Sequence, residues 1–179
     1  MFFAKEIGLD KENIDKFIQG VPFFKEFSEH EKGKLTSDKN SFKQFKKGES
    51  IFMEGDTGSS LFVVLFGTID LVKLCDPDTA KGRVSLKEEE EKVLGELETG
   101  SVFGEISMLT GRRRSVTART TSPKAIVMEI TNQYVDSLIH SIQTKFHKQL
   151  LLALVKDLDD MDVRYMKLRS SVETKANLG

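Results

Sequence analysis

The chain has 179 residues, enough for one ordinary domain with a sizeable core. Its 27 Lys and Arg residues offset 28 Asp and Glu residues, and a net charge of −1 argues against nucleic acid as a partner. The single cysteine, Cys75, excludes an internal disulfide framework and suits a reducing compartment. No apolar run approaches the roughly 18 residues of a membrane-spanning helix, and the acidic N-terminus does not fit a secretory signal. We therefore expect a cytoplasmic protein that does not bind membranes.

Residues 1–40 are predicted to form a helical lead-in. Apolar residues recur at helical spacing from Ile14 to Val21, and Pro22 then interrupts the pattern. Ser28 followed by Glu31 is a capping-box pattern that predicts the start of a second helix. We expect the phenylalanines around Pro22 to pack these helices on the elements that follow.

Residues 41–130 are predicted to be rich in β-strands. Candidate strands, separated by turns that often contain glycine, lie at residues 42–45, 51–52, 61–65, 68–74, 93–97, 116–120 and 125–130. Many short strands with regular glycine turns indicate a sandwich or a jelly-roll barrel. The predicted fold class is therefore mainly β with flanking helices, a jelly-roll β-barrel preceded by N-terminal helices and followed by a long C-terminal helix. The acidic segment 76–92 is predicted to be a solvated hairpin loop, with a docking surface for a basic partner as the alternative.

Residues 103–118, FGEISMLTGRRRSVTA, carry the most specific chemistry of the chain. Gly104 lets the backbone approach a ligand closely, and Glu105 is suited to accept from a sugar hydroxyl. Residues 105–110 are predicted to form a short helix whose first amides face an anion, with Gly111 ending it. Arg114 supplies a fixed-charge fork for phosphate oxygens. These residues indicate a pocket for a sugar bonded to a phosphate.

The segment resembles the phosphate-binding cassette of cyclic-nucleotide-binding domains, which occur in catabolite-activator-type regulators, kinase regulatory subunits and cyclic-nucleotide-gated channels. Residues 45–72, FKKGESIFMEGDTGSSLFVVLFGTIDLV, match the same family in the order of their glycines and strands. The resemblance covers roughly residues 21–158. It implies a jelly-roll barrel with the ligand inside and no cofactor other than that ligand, cyclic AMP or else cyclic GMP.

The resemblance also implies roles for particular residues. Glu105 would accept from the ribose 2′-hydroxyl, Arg114 would pair with the cyclic phosphate, and amides near Ser107 and Ser115 would complete the phosphate cradle. The expected ligand-binding residues are Phe103, Gly104, Glu105, Ile106, Ser107, Arg114, Ser115 and Val116.

Three features leave alternatives open. The hydroxyl of Ser115 could bind the exocyclic amine of a guanine, but it does not decide between cyclic AMP and cyclic GMP. Val116 stands where the family usually has alanine, and its branched side chain narrows the space near the phosphate. Counting from Phe103 places the family's arginine at Arg114, with Arg113 as the alternative; the other loop arginines are expected to be solvated.

Residues 131–175 are predicted to form two helices. Thr131 or Asn132 would cap the first, with Tyr134, Leu138 and Ile142 on one face, and the second would begin near Thr144. In the second, apolar residues recur at alternating spacings of three and four, an a/d pattern typical of a coiled coil. We expect a homodimer through Leu151, Leu154, Leu158, Met161, Tyr165 and Leu168. The resemblance adds contacts between residues 150–155 and the bound base.

No motif of an enzyme is found, since His-Glu-x-x-His, Cys-x-x-Cys, phosphate-loop and nucleophile-elbow patterns are all missing. We therefore expect a non-catalytic sensor in which the ligand moves the C-terminal helices and an unknown protein reads the result. No helix-turn-helix follows residue 172, so the chain is expected to be a stand-alone sensor or a fragment of a larger protein. A regulatory domain for cyclic GMP and a ligand-free scaffold module are the alternatives.

Overall fold

The computed structural model describes residues 8–75 and 90–176. Helix α1, Lys11–Gly20, begins at Asp10, whose carboxylate accepts from the amide of Asn13. A 3-10 turn at Pro22–Phe24 leads to α2, Glu29–Leu35. Both bonds of the predicted capping box between Ser28 and Glu31 are present, which confirms the start of this helix.

Within the described residues, eight strands form two antiparallel sheets. The first sheet has the order β1-β8-β3-β6 and the second the order β2-β7-β4-β5. The bounds of the strands are β1 Phe42–Lys46, β2 Ser50–Phe52, β3 Ser60–Phe66, β4 Ile69–Cys75, β5 Glu90–Leu97, β6 Val102–Phe103, β7 Thr117–Thr120 and β8 Lys124–Thr131. A second 3-10 turn, Lys39–Ser41, precedes β1.

The first sheet is the middle of three layers. Alternate residues of β3 divide between two cores: Leu61, Val63 and Leu65 pack with the helices, whereas Phe62 and Val64 pack with the second sheet. Because side chains alternate across a strand, burial on both faces explains why β3 is an unbroken apolar run.

The predicted fold class, mainly β with flanking helices and a long C-terminal helix, is confirmed, but the strands are not closed into a barrel. Among the described strands, the two sheets share no pairing, and each ends in edge strands: β1 and β6 in one sheet, β2 and β5 in the other. The sheets therefore form a sandwich. The two-residue strand β6 was not predicted.

The other helices in the described ranges are α3, Glu105–Thr110, α4, Asn132–Ser137, and α5, His140–Ala176. The predicted face of Tyr134, Leu138 and Ile142 on one helix is wrong, because Leu138 is extended and α5 begins at His140 rather than near Thr144. The hydroxyl of Ser137 donates to the carbonyl of Tyr134, a local bond that competes with helix continuation.

Most of the predicted hairpin loop, residues 76–89, lies outside the described residues, and Glu90–Lys92 belong to β5. Within the part of the chain that the structure describes, no helix is both long and apolar enough to span a membrane.

Candidate functional site

A cavity of about 710 Å³ lies between the 103–116 segment, β5 with the turn that follows it, and α5. This volume is in the range of small-molecule sites. All eight predicted ligand-binding residues line it: Phe103, Gly104, Glu105, Ile106, Ser107, Arg114, Ser115 and Val116. The sequence therefore predicted one wall of this cavity.

Arg114 lies at the inner end of the site, and the residue is only 4% exposed. Its Nη1 donates to the carbonyl of Gly104 at 2.7 Å, and its Nη2 donates to the carbonyl of Ser60 at 2.8 Å and to the Ser60 hydroxyl at 3.3 Å. The guanidinium carbon lies 4.3 Å from the centre of the Phe52 ring, a cation–π contact. Burial lowers the pKa of Arg114, while Glu129, Glu105 and Asp56 act in the opposite direction.

Two glycines make room for this arginine. A Cβ atom at Gly58 would collide with the Nε and Cζ atoms of Arg114, and one at Gly104 would lie 2.5 Å from its Nη1. Gly104 also has a φ of 78°, which side chains strongly disfavour. Neither Gly58, which precedes β3, nor Ser60, its first residue, was predicted to contact this arginine.

Glu105 opens α3 at the edge of the same cavity. The helix has the predicted bounds, and Gly111 follows it with a φ of 68°. Burial raises the pKa of the Glu105 carboxyl, and the negative charge of Asp157 on α5 raises it further, while Arg114 lowers it. A partly desolvated carboxylate in this position is a strong acceptor for a hydroxyl group.

The other predicted residues differ in exposure. Phe103 is buried and stacks on Phe62 with ring centres 5.3 Å apart. Ser107 is buried, Val116 is half-buried, and Ser115 and Ile106 are exposed. The cavity is thus deep at Arg114 and open near Ile106.

Arg113 and Arg114 have different surroundings. Arg113 is exposed, and its Nη1 donates to the carbonyl of Gly55 at 2.7 Å. Arg114 is buried and lines the cavity. This placement supports Arg114, the position obtained by counting from Phe103, over Arg113.

Helix α5 forms the wall opposite the cassette. Leu152 and Ala153 lie within the segment predicted to contact a base, but most of this wall was not predicted from the sequence. The strand facing this helix has a bulge, since Leu94 is the extra residue between the Val72–Val93 and Leu71–Gly95 pairs, and Leu94 and Gly95 both line the cavity. Arg164 of α5 lies over Gly95. The remaining residues of this wall are Gln149, Lys156, Asp157, Asp160 and Met161.

Acidic residues outnumber basic ones around the cavity. The charged lining residues are Glu96, Glu98, Glu105, Asp157 and Asp160 against Arg114, Lys156 and Arg164. Burial raises the pKa of Asp157, and Asp160 raises it further. The described residues contain no cluster of His, Cys, Asp and Glu side chains suited to a metal ion. The end of the cavity at Arg114 therefore favours an anionic group of a ligand. The carboxylates on the α5 side favour hydrogen-bond donors of a ligand.

Comparison with known proteins agrees with this geometry. The family profile described as "Cyclic nucleotide-binding domain" matches residues 42–141, more than half of the chain. The chain is 29% identical over 103 residues to a cAMP-dependent protein kinase regulatory subunit of Mycosarcoma maydis, covering 58% of this chain and 17% of that protein. It is 25% identical over 104 residues to a cGMP-dependent protein kinase of Eimeria tenella, covering 58% of this chain and 9% of that protein. The chain thus spans less than a fifth of either relative.

Among solved structures, a cyclic nucleotide-binding domain from Methylobacillus flagellatus has the same fold. The TM-score is 0.65 at 19% identity, with 87% of this chain and 82% of the other covered. The match of the family profile over residues 42–141 includes both the glycine-containing segment 45–72 and the cassette. This chain belongs to the cyclic nucleotide-binding domain family.

Proposed function

We propose that this chain is a non-catalytic cytoplasmic sensor that binds cyclic AMP in the cavity beneath α5. The observation that carries the proposal is the pairing, in one cavity, of a buried Arg114 with a half-buried Glu105. A fixed cation suits the cyclic phosphate and a carboxylate suits the ribose hydroxyl. The similarity to a cAMP-dependent kinase regulatory subunit supports cyclic AMP as the ligand.

The proposed switch follows from the position of α5. The cassette and α5 face each other across the cavity, so a ligand that contacts both walls favours the arrangement in which they are close. Such a ligand shifts the equilibrium between two positions of the helix by its difference in affinity for them. In this scheme residues 1–40 are the lead-in, residues 41–130 hold the pocket, and residues 131–175 transmit the change to an unknown protein.

Helix α5 also carries the proposed dimer contact. Leu151, Leu158, Tyr165 and Leu168 are exposed, as the heptad pattern requires. Leu154 packs in part on the core of its own chain, and Met161 lines the cavity. Met161 is exposed as well. We propose that Leu151, Leu158, Tyr165 and Leu168 are the centre of the seam, and that Leu154 and Met161 connect it to the pocket.

The test is isothermal titration calorimetry with cyclic AMP and then cyclic GMP. Arg114→Ala is expected to weaken binding by about 2–5 kcal/mol, since it removes the partner of a buried phosphate, or roughly thirty-fold to a few thousand-fold. A loss smaller than about threefold would show that the phosphate does not lie at Arg114.

Cyclic GMP is the second candidate, and the carboxylates of α5 favour it. Guanine presents an N–H and an amino group on one edge, and a carboxylate such as Asp157 or Asp160 accepts from both. The hydroxyl of Ser115 is a further partner for guanine on the cassette side. A higher affinity for cyclic GMP in the same titration would assign the pocket to it. No heat with either nucleotide, from folded protein, would favour the scaffold alternative, in which Val116 narrows the phosphate end.

A further inference from the structure

Lys73 of β4 contacts the cassette at the residue next to Arg114. Its Nζ donates to the carbonyl of Ser115 at 3.0 Å and lies 3.3 Å from Oε1 of Glu54. Ser115 is the residue that follows Arg114 and lines the cavity. The lysine therefore connects the wall formed by β4 to the end of the cassette.

The position of Lys73 on its strand is unusual for a lysine. Residues two apart share a face of a strand, so Lys73 lies on the same face as Ile69 and Leu71. Ile69 is fully buried between the sheets and Leu71 lines the cavity. An apolar residue is expected next on this face, and the lysine instead directs its amine to a backbone carbonyl.

Glu54 fixes the lysine in place. Its Oε2 accepts from the amide of Leu74 at 3.4 Å, and its own amide donates to the hydroxyl of Thr117 at 3.0 Å. Glu54 thus joins β4 to the first residue of β7. The side chain of Lys73 is 41% exposed, and an ion pair this exposed contributes little to stability. The ion pair therefore acts on the local geometry of the cassette rather than on the stability of the fold.

Two consecutive peptide groups are oriented in this region, Arg114–Ser115 and Ser115–Val116. In a planar trans peptide the carbonyl and the following N–H point in opposite directions. The carbonyl of Arg114 accepts from the amide of Gly55 at 2.8 Å, which fixes the direction of the Ser115 N–H. The carbonyl of Ser115 accepts from Lys73, which fixes the direction of the Val116 N–H. Successive N–H groups of turn residues form anion-binding concavities, and Ser115 and Val116 lie in the bend that precedes β7.

We propose that Lys73, held by Glu54, is a positioning residue that orients the Val116 N–H toward the phosphate of the bound nucleotide. The inference rests on the proposed function, since it concerns the same phosphate. Lys73 acts through the Ser115–Val116 peptide and does not contact the ligand.

The experiment compares Lys73→Met with Lys73→Arg by titration with cyclic AMP and cyclic GMP. The methionine keeps the length of the side chain and loses the donor, so affinity is expected to fall roughly threefold to tenfold, the effect of one hydrogen bond. The arginine keeps a donor and is expected to bind within about twofold of the wild type. Glu54→Gln, which removes the charge that holds the lysine, is expected to give a smaller loss in the same direction.

A second readout separates positioning from general damage. In amide NMR spectra, saturation with the nucleotide is expected to shift the Val116 N–H downfield, and Lys73→Met is expected to reduce this shift. The amide of Ser107, on the other side of the cradle, serves as the internal reference and is expected to shift as in the wild type.

The outcomes are distinguishable. A folded wild type that binds neither nucleotide would overturn the proposed function, and the role of Lys73 with it. A wild type that binds, with Lys73→Met of equal affinity and an unchanged Val116 shift, would overturn the role of Lys73 alone. Equal losses of the Val116 and Ser107 shifts would also overturn it. If Lys73→Met does not fold, an unchanged affinity and Val116 shift in Glu54→Gln would overturn it as well.

Discussion

At the level of single residues, Arg114 is suited to bind an anion, and hydrogen bonds within the protein already fix its side chain. Its bonds to Gly104 and Ser60 fix the plane of the guanidinium. A guanidinium carries more N–H groups than these bonds use. Because the side chain is already ordered, a phosphate that binds it loses little affinity to the ordering of that side chain.

Gly58→Ala tests this placement without removing the arginine. The new methyl group would collide with the guanidinium of Arg114, while the backbone at this position accepts alanine, since Gly58 is not among the glycines with positive φ. Overpacking of this kind costs about 1–3 kcal/mol, and we expect affinity for the nucleotide to fall roughly tenfold when measured by titration.

Gly33→Ala is the matched control. No atom lies within 4 Å of a Cβ placed at Gly33, which is exposed on α2. Alanine in a helix is about 0.5–1 kcal/mol more stable than glycine, so this variant is expected to unfold at a slightly higher temperature and to bind as the wild type does. Wild-type affinity in Gly58→Ala would contradict the placement of Arg114.

Glu105→Ala tests the assignment of the sugar. We expect a loss of about tenfold for the cyclic ribonucleotide, the value of a hydrogen bond to a charged acceptor, and a much smaller loss for its 2′-deoxy analogue. Glu96→Ala, another acid of the cavity wall, is the control and is expected to affect both nucleotides equally. Equal losses in Glu105→Ala would exclude the contact with the 2′-hydroxyl.

The residues of the cassette were predictable because glycine, acid and arginine follow one another at fixed spacing. Gly58 and Ser60 contact Arg114 across 54 or more positions of sequence, and no local pattern predicts such a contact. Asp157 was not predicted to line the cavity, since a heptad pattern does not distinguish a pocket-facing carboxylate from a solvated one.

At the level of elements, α5 is attached to the N-terminal helices by its first three turns. Phe146 packs edge-on against Phe23 with ring centres 5.5 Å apart, and Lys145 pairs with the buried Glu31 at 2.6 Å. The hydrogen bond from Lys145, followed by that from the Ser28 amide, lowers the pKa of Glu31 from its usual 4.5 to about 2.

This ion pair predicts a specific dependence of stability on pH. A carboxylate whose pKa is lower in the folded state stabilises the fold above the pKa of the unfolded chain, and this contribution is lost as the pH falls through the folded value. We expect the wild type to lose stability between pH 4.5 and pH 2 and Lys145→Met to lose less over the same range, measured by thermal unfolding. Lys148→Met removes the exposed pair with Glu26 and is the control, with a slope like that of the wild type. Identical slopes in all three proteins would contradict the role of Glu31.

The dimer seam is tested by Leu158→Asp. Leu158 is 57% exposed in the single chain, so the change is expected to leave the fold intact and to prevent pairing, seen as a smaller species by size-exclusion chromatography with light scattering. Val163→Asp is the control, since Val163 is similarly exposed but lies about 140° around the helix from Leu158. A mass that does not change in Leu158→Asp would exclude the seam.

The break between α4 and α5 was not predictable from apolar periodicity. Leu138 fits the helical pattern, yet the side chain of Gln143 donates to the carbonyls of Val135 and Asp136 and satisfies the end of α4. The capping box of α2 was predictable because both of its partners lie within one turn. Local bonds could be foreseen where the two partners are close in sequence and the residue types are specific.

For the whole molecule, the sequence predicted the classes of structure and their order, but the predicted closure of the strands into a barrel was wrong. Closure depends on which edge strands pair, and those strands are distant in sequence. The opposite wall of the site was missed for the same reason, because residues 149–164 meet the cassette only after the chain has crossed both sheets. The site is therefore built from segments that are far apart in the sequence.

The length of α5 has a mechanical consequence. At a rise of about 1.5 Å per residue, the part of the helix beyond the buried Leu150 extends about 39 Å to Ala176. A rotation of about 10° at the anchored end would carry the far end about 7 Å, as follows from the same rise. In the proposed switch the helix acts as a lever that pivots near Leu150, lines the cavity as far as Arg164 and continues beyond it to Ala176. A small displacement of the pocket wall would then be enlarged at the tip to the width of a side chain.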